Sequence, residues 1–200
     1  MRRRSRGRAD ALIALARSRF GRIDGLACVA ARIDIDGTIE STPVDDWRKV
    51  FETNVFGTVR LIQAAIPALK ERGGSIVIVG SQSEKLPDPA PGFIAYGASK
   101  TAMHSAMIYM VKQLGPSGIR VNRVVPSTMW TPTLQGFAAQ MGVAQSKTVG
   151  EVRAQFEMHM PLGRMPSGGD AAEAIVFFLS GRAASITGQA LFVNSGEWME

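Results

Sequence analysis

The 200-residue sequence contains one cysteine, two histidines and two tyrosines, and no apolar run near the ~20 residues that span a bilayer. Cys28 has no partner within the chain, which excludes an internal disulfide and fits a reducing compartment. His104 and His159 lack a second histidine or cysteine at ligand spacing, so no metal centre is expected and both read as packing or surface residues. The shortage of long apolar runs points to a soluble, cytoplasmic protein without a membrane anchor. The short segment Ala11-Leu-Ile-Ala-Leu-Ala16 follows Asp10 and falls below the usual ~7–15 apolar residues of a secretory signal. Repeats and low-complexity tracts are also missing.

Charge of one sign is scarce outside the start. The net charge is +6, and five arginines (Arg2, Arg3, Arg4, Arg6 and Arg8) against Asp10 supply most of it. Residues 1–7 read as a basic, disordered arm. No aromatic side chain is interleaved there for base stacking, so nucleic acid is not the expected partner. Residues 8–200 have the size and apolar share, 46% for the whole chain, of a single domain.

The informative stretch is 74–100. Residues 75–79 (Ser-Ile-Val-Ile-Val) form a β-branched run suited to a strand buried on both faces, with Ser81 where that strand ends. Chemistry in open α/β sheets gathers at that edge. After a Pro-rich loop, Tyr96 and Lys100 stand four residues apart in a helical pattern and project from one face. An ammonium near a phenol favours the phenolate and lowers a pKa that is otherwise near ~10. Tyr96 then becomes a proton-transfer group, and Ser81 can hold the same substrate oxygen. On spacing alone, a packed ring and a solvated amine are the commoner account of such a pair.

Around this stretch, 10–20 reads as a helix and 23–31 as a buried strand. A long helix is expected over 45–72, stopped by Gly73-Gly74, with Asn54 interrupting its apolar side. Further helices are expected over about 95–114 and 169–179, and strands over 118–125 and 189–193.

Several short motifs stand in a fixed order: Phe20-Gly-Arg-Ile-Asp-Gly-Leu26, Asn54-Val-Phe-Gly-Thr58, the Ser81 strand, Tyr96-Gly-Ala-Ser-Lys100, Gly118-Ile-Arg-Val-Asn122, Pro161-Leu-Gly-Arg164 and Thr187-Gly-Gln189. In that order the chain resembles the short-chain dehydrogenases/reductases from about Phe20 to Glu197. The resemblance implies a Rossmann-like, doubly wound parallel α/β sheet with helices on both faces. It implies a catalytic set of Asn54, Ser81, Tyr96 and Lys100, with Asn54 anchoring a water relay to Lys100. NAD or NADP is the implied cofactor, held by Tyr96, Lys100, Pro126, Met129 and Thr131. The implied reaction interconverts a secondary alcohol and a ketone, in a homo-oligomer (dimer or tetramer).

The chain departs from the family pattern in several places. The Gly-rich phosphate turn and the strands around it are not found before residue 23, so about four strands are expected and the chain reads as N-terminally truncated. A fragment that is inactive, or acts as an assembly partner binding cofactor poorly, is the alternative reading. The strand at 23–31 should then become a sheet edge open to pairing. Cys28-Val-Ala-Ala31 replaces a polar Asn-Asn-Ala-Gly turn, and Ser127 replaces a glycine. The step from Ser81 to Tyr96 is two residues longer than the family's commonest, a count that Ser83 would satisfy, so Ser81 and Ser83 both stand as candidates. The segment 132–160 matches the family's substrate lid. Phe137, Met141, Val143, Phe156, Met158 and Met160 there, with Trp130, fit a bulky hydrophobic substrate or ordinary core packing.

Overall fold

A computed structural model describes the backbone of residues 2–199 and the side chains from Gly7 to Met199. Four strands, β1 (Gly25–Cys28), β2 (Gly74–Val79), β3 (Ile119–Pro126) and β4 (Ala190–Val193), form one sheet in sequence order, all parallel. Helix α1 (Arg2–Phe20) precedes β1, and α2 (Val44–Phe51), α3 (Thr58–Leu69), α4 (Phe93–Leu114), α5 (Pro132–Gln145), α6 (Val149–Glu157) and α7 (Gly168–Leu179) fill the connections between strands. The expected four-stranded doubly wound sheet is therefore present.

β2 explains the layering. Its alternate side chains point to opposite faces: Ile76 and Ile78 pack with Ile62, Leu69, Met103 and Met107 of α3 and α4, whereas Val77 packs with Ala174 and Phe178 of α7. The register Ile76↔Val121 and Ile78↔Arg123 is locked because a slip of one residue would exchange the two cores. Gly73 makes the approach to β2 possible. It has φ +78°, and a Cβ there would lie 2.8 Å from the Gly118 carbonyl oxygen.

Three elements differ from the sequence expectation. The arm expected over 1–7 is helical from Arg2 onward as part of α1, whose Ile13 packs on the α3–α4 core and whose Arg17 pairs with Glu71 at 2.8 Å; Met1 lies outside the described residues. The strand expected over 23–31 is confined to Gly25–Cys28, the residues that find partners in β2. The helix expected over 45–72 is interrupted by a π-helical turn, Glu52–Gly57, that carries the buried Asn54. Such wide turns open one residue's worth of slack in a helix and commonly occur where a side chain must reach out of the regular ladder.

β1 pairs with β2 alone, so it forms the expected sheet edge, and Gly25 and Ala27 along it are exposed. Among the described residues, no helix is long and apolar enough to cross a membrane. Removal of the fully buried Leu69 side chain (Leu69→Ala) should lower the unfolding free energy in urea by about 2–5 kcal/mol. Val143→Ala, at an 86% exposed position, should change it by no more than about 0.5 kcal/mol. Equal effects at the two positions would contradict this core.

Candidate active site

The parallel register delivers Ser81 just beyond the C-terminal end of β2, where the chain leaves the sheet into a short 3₁₀ turn, Gln82–Glu84. Tyr96 and Lys100 come from the first turns of α4. The Ser81 hydroxyl stands against the Tyr96 phenol and draws its pKa down. The Ser81 oxygen accepts from the Ser83 hydroxyl at 2.9 Å and from the Ser83 N–H at 3.3 Å. The Ser81 hydroxyl thus accepts twice from Ser83 and keeps its own proton to donate. Of the two candidate serines, Ser81 is the one that acts on the phenol, although both line the cleft.

Lys100 is buried and its amine donates to the Val79 carbonyl oxygen at 2.7 Å, which ties α4 to the last residue of β2. The amine lies 5.6 Å from the centre of the Tyr96 ring. Burial pushes Lys100 down from the ordinary lysine value of 10.5 to about 8, partly offset by the negative charge of Glu84. The expected depression of the Tyr96 pKa by Lys100 is not what this arrangement produces. Burial raises the phenol, the Ser81 hydrogen bond draws it back, and the Glu84 charge raises it further. At neutral pH Tyr96 is a proton donor.

Asn54 is one layer further back. Its Oδ1 accepts the Arg32 N–H at 2.6 Å, and its Nδ2 donates to the Arg32 carbonyl at 3.0 Å and to Ser99 Oγ at 2.9 Å. Ser99 Oγ in turn donates to the Tyr96 carbonyl oxygen at 2.7 Å. The Asn54 amide is thus committed to clamping the chain after β1 against α4. This clamp supplies the polar support that the sequence Cys28-Val-Ala-Ala31 lacks. Cys28 itself is buried beside Lys100, and burial pushes its thiol up to about 12, so it stays a protonated packing group.

A cleft of about 700 Å³ opens over these residues, lined by Ser81, Ser83 and Tyr96 together with Ser127, Thr128 and His159. His159, which the sequence reads as packing or surface, lines the same cleft as Ser81 and Tyr96. Its only sequence signal is its position near the end of the lid segment. Apolar walls come from Ile33, Leu86, Pro87, Pro89 and Phe93, not from the lid's Phe137, Val143 and Met158, which are exposed. Of the two readings of Trp130, pocket wall or packing, the structure supports packing: its ring lies 5.1 Å from the Arg153 guanidinium and outside the cleft lining. Residues 132–160 fold as α5 and α6, which pack on each other.

Pro126 ends β3, and the segment after it is pinned by the Ser127 N–H to the Val193 carbonyl at 3.2 Å. Thr131 Oγ1 accepts the Leu134 N–H at 3.3 Å and caps α5, and Met129 does not line the cleft. Ser127 is absent from the positive-φ positions, so the turn does not require the glycine it replaces. Its hydroxyl is buried without a partner, the signature of a group awaiting a ligand or water.

The Lys100 amine carries a testable consequence. The folded chain releases its proton near 8 and the unfolded chain near 10.5, so the unfolded state binds more protons between those values and stability rises with pH across that window. The difference in unfolding free energy, wild type minus Lys100→Met, should therefore climb from about pH 8 to about pH 10.5. A difference that stays flat would contradict the buried amine.

A family model described as enoyl-(acyl carrier protein) reductase matches residues 4–197. The chain is 34% identical over 179 residues to the vibriobactin-specific 2,3-dihydro-2,3-dihydroxybenzoate dehydrogenase of Vibrio cholerae, covering 88% of this chain and 66% of that one. It is 30% identical over 190 residues to the trans-4-hydroxycyclohexanecarboxylate dehydrogenase of Sinomonas cyclohexanicum, covering 94% and 65%. A solved short-chain type dehydrogenase/reductase from Mycobacterium ulcerans superposes with a TM-score of 0.83 at 26% identity, covering 96% of this chain and 66% of that one. The chain spans about two thirds of the length of the curated relatives it matches. Sequence motifs, sheet order and relatives agree, and the chain belongs to the short-chain dehydrogenase/reductase family.

Proposed function

We propose that this chain carries the proton-transfer half of an NAD(P)-dependent oxidoreductase that interconverts a secondary alcohol and a ketone. The observation that carries the reading is the meeting of the Ser81 and Tyr96 hydroxyls in one cleft at the end of β2, with Lys100 anchored one helical turn below. The substrate oxygen takes the place at which the Ser81 and Tyr96 hydroxyls converge. In the reducing direction both hydroxyls donate to a carbonyl oxygen, and Tyr96 gives up its proton as negative charge develops there. Ser81 and the Lys100 cation then stabilise the phenolate. Oxidation runs the same steps backwards, the phenolate taking the alcohol proton.

The nicotinamide supplies or accepts the hydride when bound. The residues that fit the nicotinamide end of such a cofactor are Tyr96 and Lys100 for the ribose and the unpartnered Ser127 hydroxyl after Pro126, whereas Met129 stands outside the cleft and the Thr131 hydroxyl caps α5. They do not fit the pyrophosphate end. No Gly-rich turn leads into a helix before β1, and β1 has no further strand beside it among the described residues. That observation favours a second reading, in which the 200-residue chain by itself is an assembly partner with little cofactor affinity.

The substrate class follows from two supports. The cleft is mixed, with Phe93, Leu86 and prolines on one side and Ser127, Thr128 and His159 on the other. The names of the Vibrio and Sinomonas relatives describe hydroxylated six-membered ring acids. A ring-borne secondary alcohol, or its ketone, suits both. A homo-oligomer that covers the β1 edge and a cytoplasmic location complete the proposal.

In any form that turns over, Tyr96→Phe should lower kcat by at least ~10²–10⁴-fold while leaving the melting temperature near that of the parent. Retained turnover would exclude Tyr96 as the acid. The 200-residue chain alone should bind NADH and NADPH only weakly by fluorescence titration. Tight binding would contradict the missing pyrophosphate site and remove the second reading.

A further inference from the structure

Beneath Ser81 the fold buries an ion pair for which proton transfer has no evident need. Glu84, at the end of the Gln82–Glu84 turn, pairs with Arg123 in the middle of β3, and their side chains are 1% and 2% exposed. Arg123 occupies a strand position between Val121 and Val124–Val125, all fully buried, and its Nε has no hydrogen-bond partner. A desolvated pair of this kind, with an orphaned donor, is a poor way to gain stability. Apolar side chains of similar volume usually do as well or better.

The contacts of the carboxylate indicate what it does instead. Its Oε1 accepts the Ser81 N–H at 3.1 Å, and its Oε2 takes the Arg123 guanidinium and lies 3.5 Å from His104 Nδ1. Both oxygens are used, so an amide, with its single acceptor, cannot replace it. The same turn holds Ser83 where its N–H and O–H reach the Ser81 oxygen. Gly80 leaves room for the arrangement: a Cβ there would stand 2.7 Å from Glu84 Oε1 and 3.3 Å from Arg123 Nη1.

We propose that Glu84, gripped by Arg123, is a positioning residue for Ser81: it fixes the Ser81 amide and the turn on which Ser83 directs the Ser81 hydroxyl at Tyr96. The proposal rests on the Ser81–Tyr96 contact taken above as the reacting pair. Glu84 touches neither substrate nor cofactor. It acts through the serine.

Tyrosine labelled with ¹³C at Cζ provides the readout, because Tyr109→Phe leaves Tyr96 as the one phenol of the chain. Ser81→Ala in that background marks the resonance position of Tyr96 without its hydrogen bond. Two perturbations are then compared with it. Glu84→Leu/Arg123→Met removes the pair and should melt at or above the parent temperature. Gly80→Ala keeps both charges but displaces the carboxylate from the Ser81 amide. In both, the Tyr96 signal is expected to move to the Ser81→Ala position. A parental signal in a folded Gly80→Ala protein overturns the proposal, and Gly80→Ala decides the matter if the double variant does not fold or shifts the signal through charge alone. A Ser81→Ala signal that coincides with the parent's overturns the underlying Ser81–Tyr96 reading, and with it the proposal.

Discussion

The site depends on the meeting of two hydroxyls, Ser81 and Tyr96, that reach it from different layers of the molecule. Ser81 arrives on the end of a strand and Tyr96 on the first turns of a helix, fifteen residues later in the chain. Neither can move independently. β2 is held between β1 and β3 with a different core on each face, and α4 is tied to it by the Lys100–Val79 bond and by the Met103 and Met107 packing. Preorganisation of this kind matters because a proton-transfer pair loses its advantage when either partner must first be ordered.

The polar groups around the pair divide into two sets with different tasks. Asn54 and Ser99 fasten the chain after β1 to α4, and Glu84 and Arg123 fasten the turn after β2 to β3. The π-helical turn at Glu52–Gly57 belongs to the first set, since it brings Asn54 out of the helical ladder to reach the Arg32 backbone. Both sets act on backbone atoms. They hold loops at the sheet edge, where sequence alone imposes little order.

Much of this was legible in the sequence because it follows from periodicity. The β-branched run of β2, the helical spacing of Tyr96 and Lys100, and the open edge at β1 are direct consequences of residue order. The π turn was not legible: Asn54 on an apolar helix face signalled a buried polar group but not how the backbone would yield to it. Nor was the Glu84–Arg123 pair, whose members lie 39 residues apart and meet only through the β2–β3 register. The charge state of Tyr96 was misread for a related reason. The spacing to Lys100 is visible in sequence, whereas the burial that outweighs it appears only once the cleft is built. Composition marks residues 1–7 as an arm, whereas from Arg2 onward the segment is continuous with α1 despite Gly7 within it.

The most direct test of the central contact is the ultraviolet titration of the Tyr96 phenol in a Tyr109→Phe background, with and without Ser81→Ala. A Ser81 proton directed at the phenol stabilises the phenolate, so its removal should move the midpoint to higher pH. An unchanged midpoint, or one that falls, would mean that the two hydroxyls do not share a proton and that the site is not built as described.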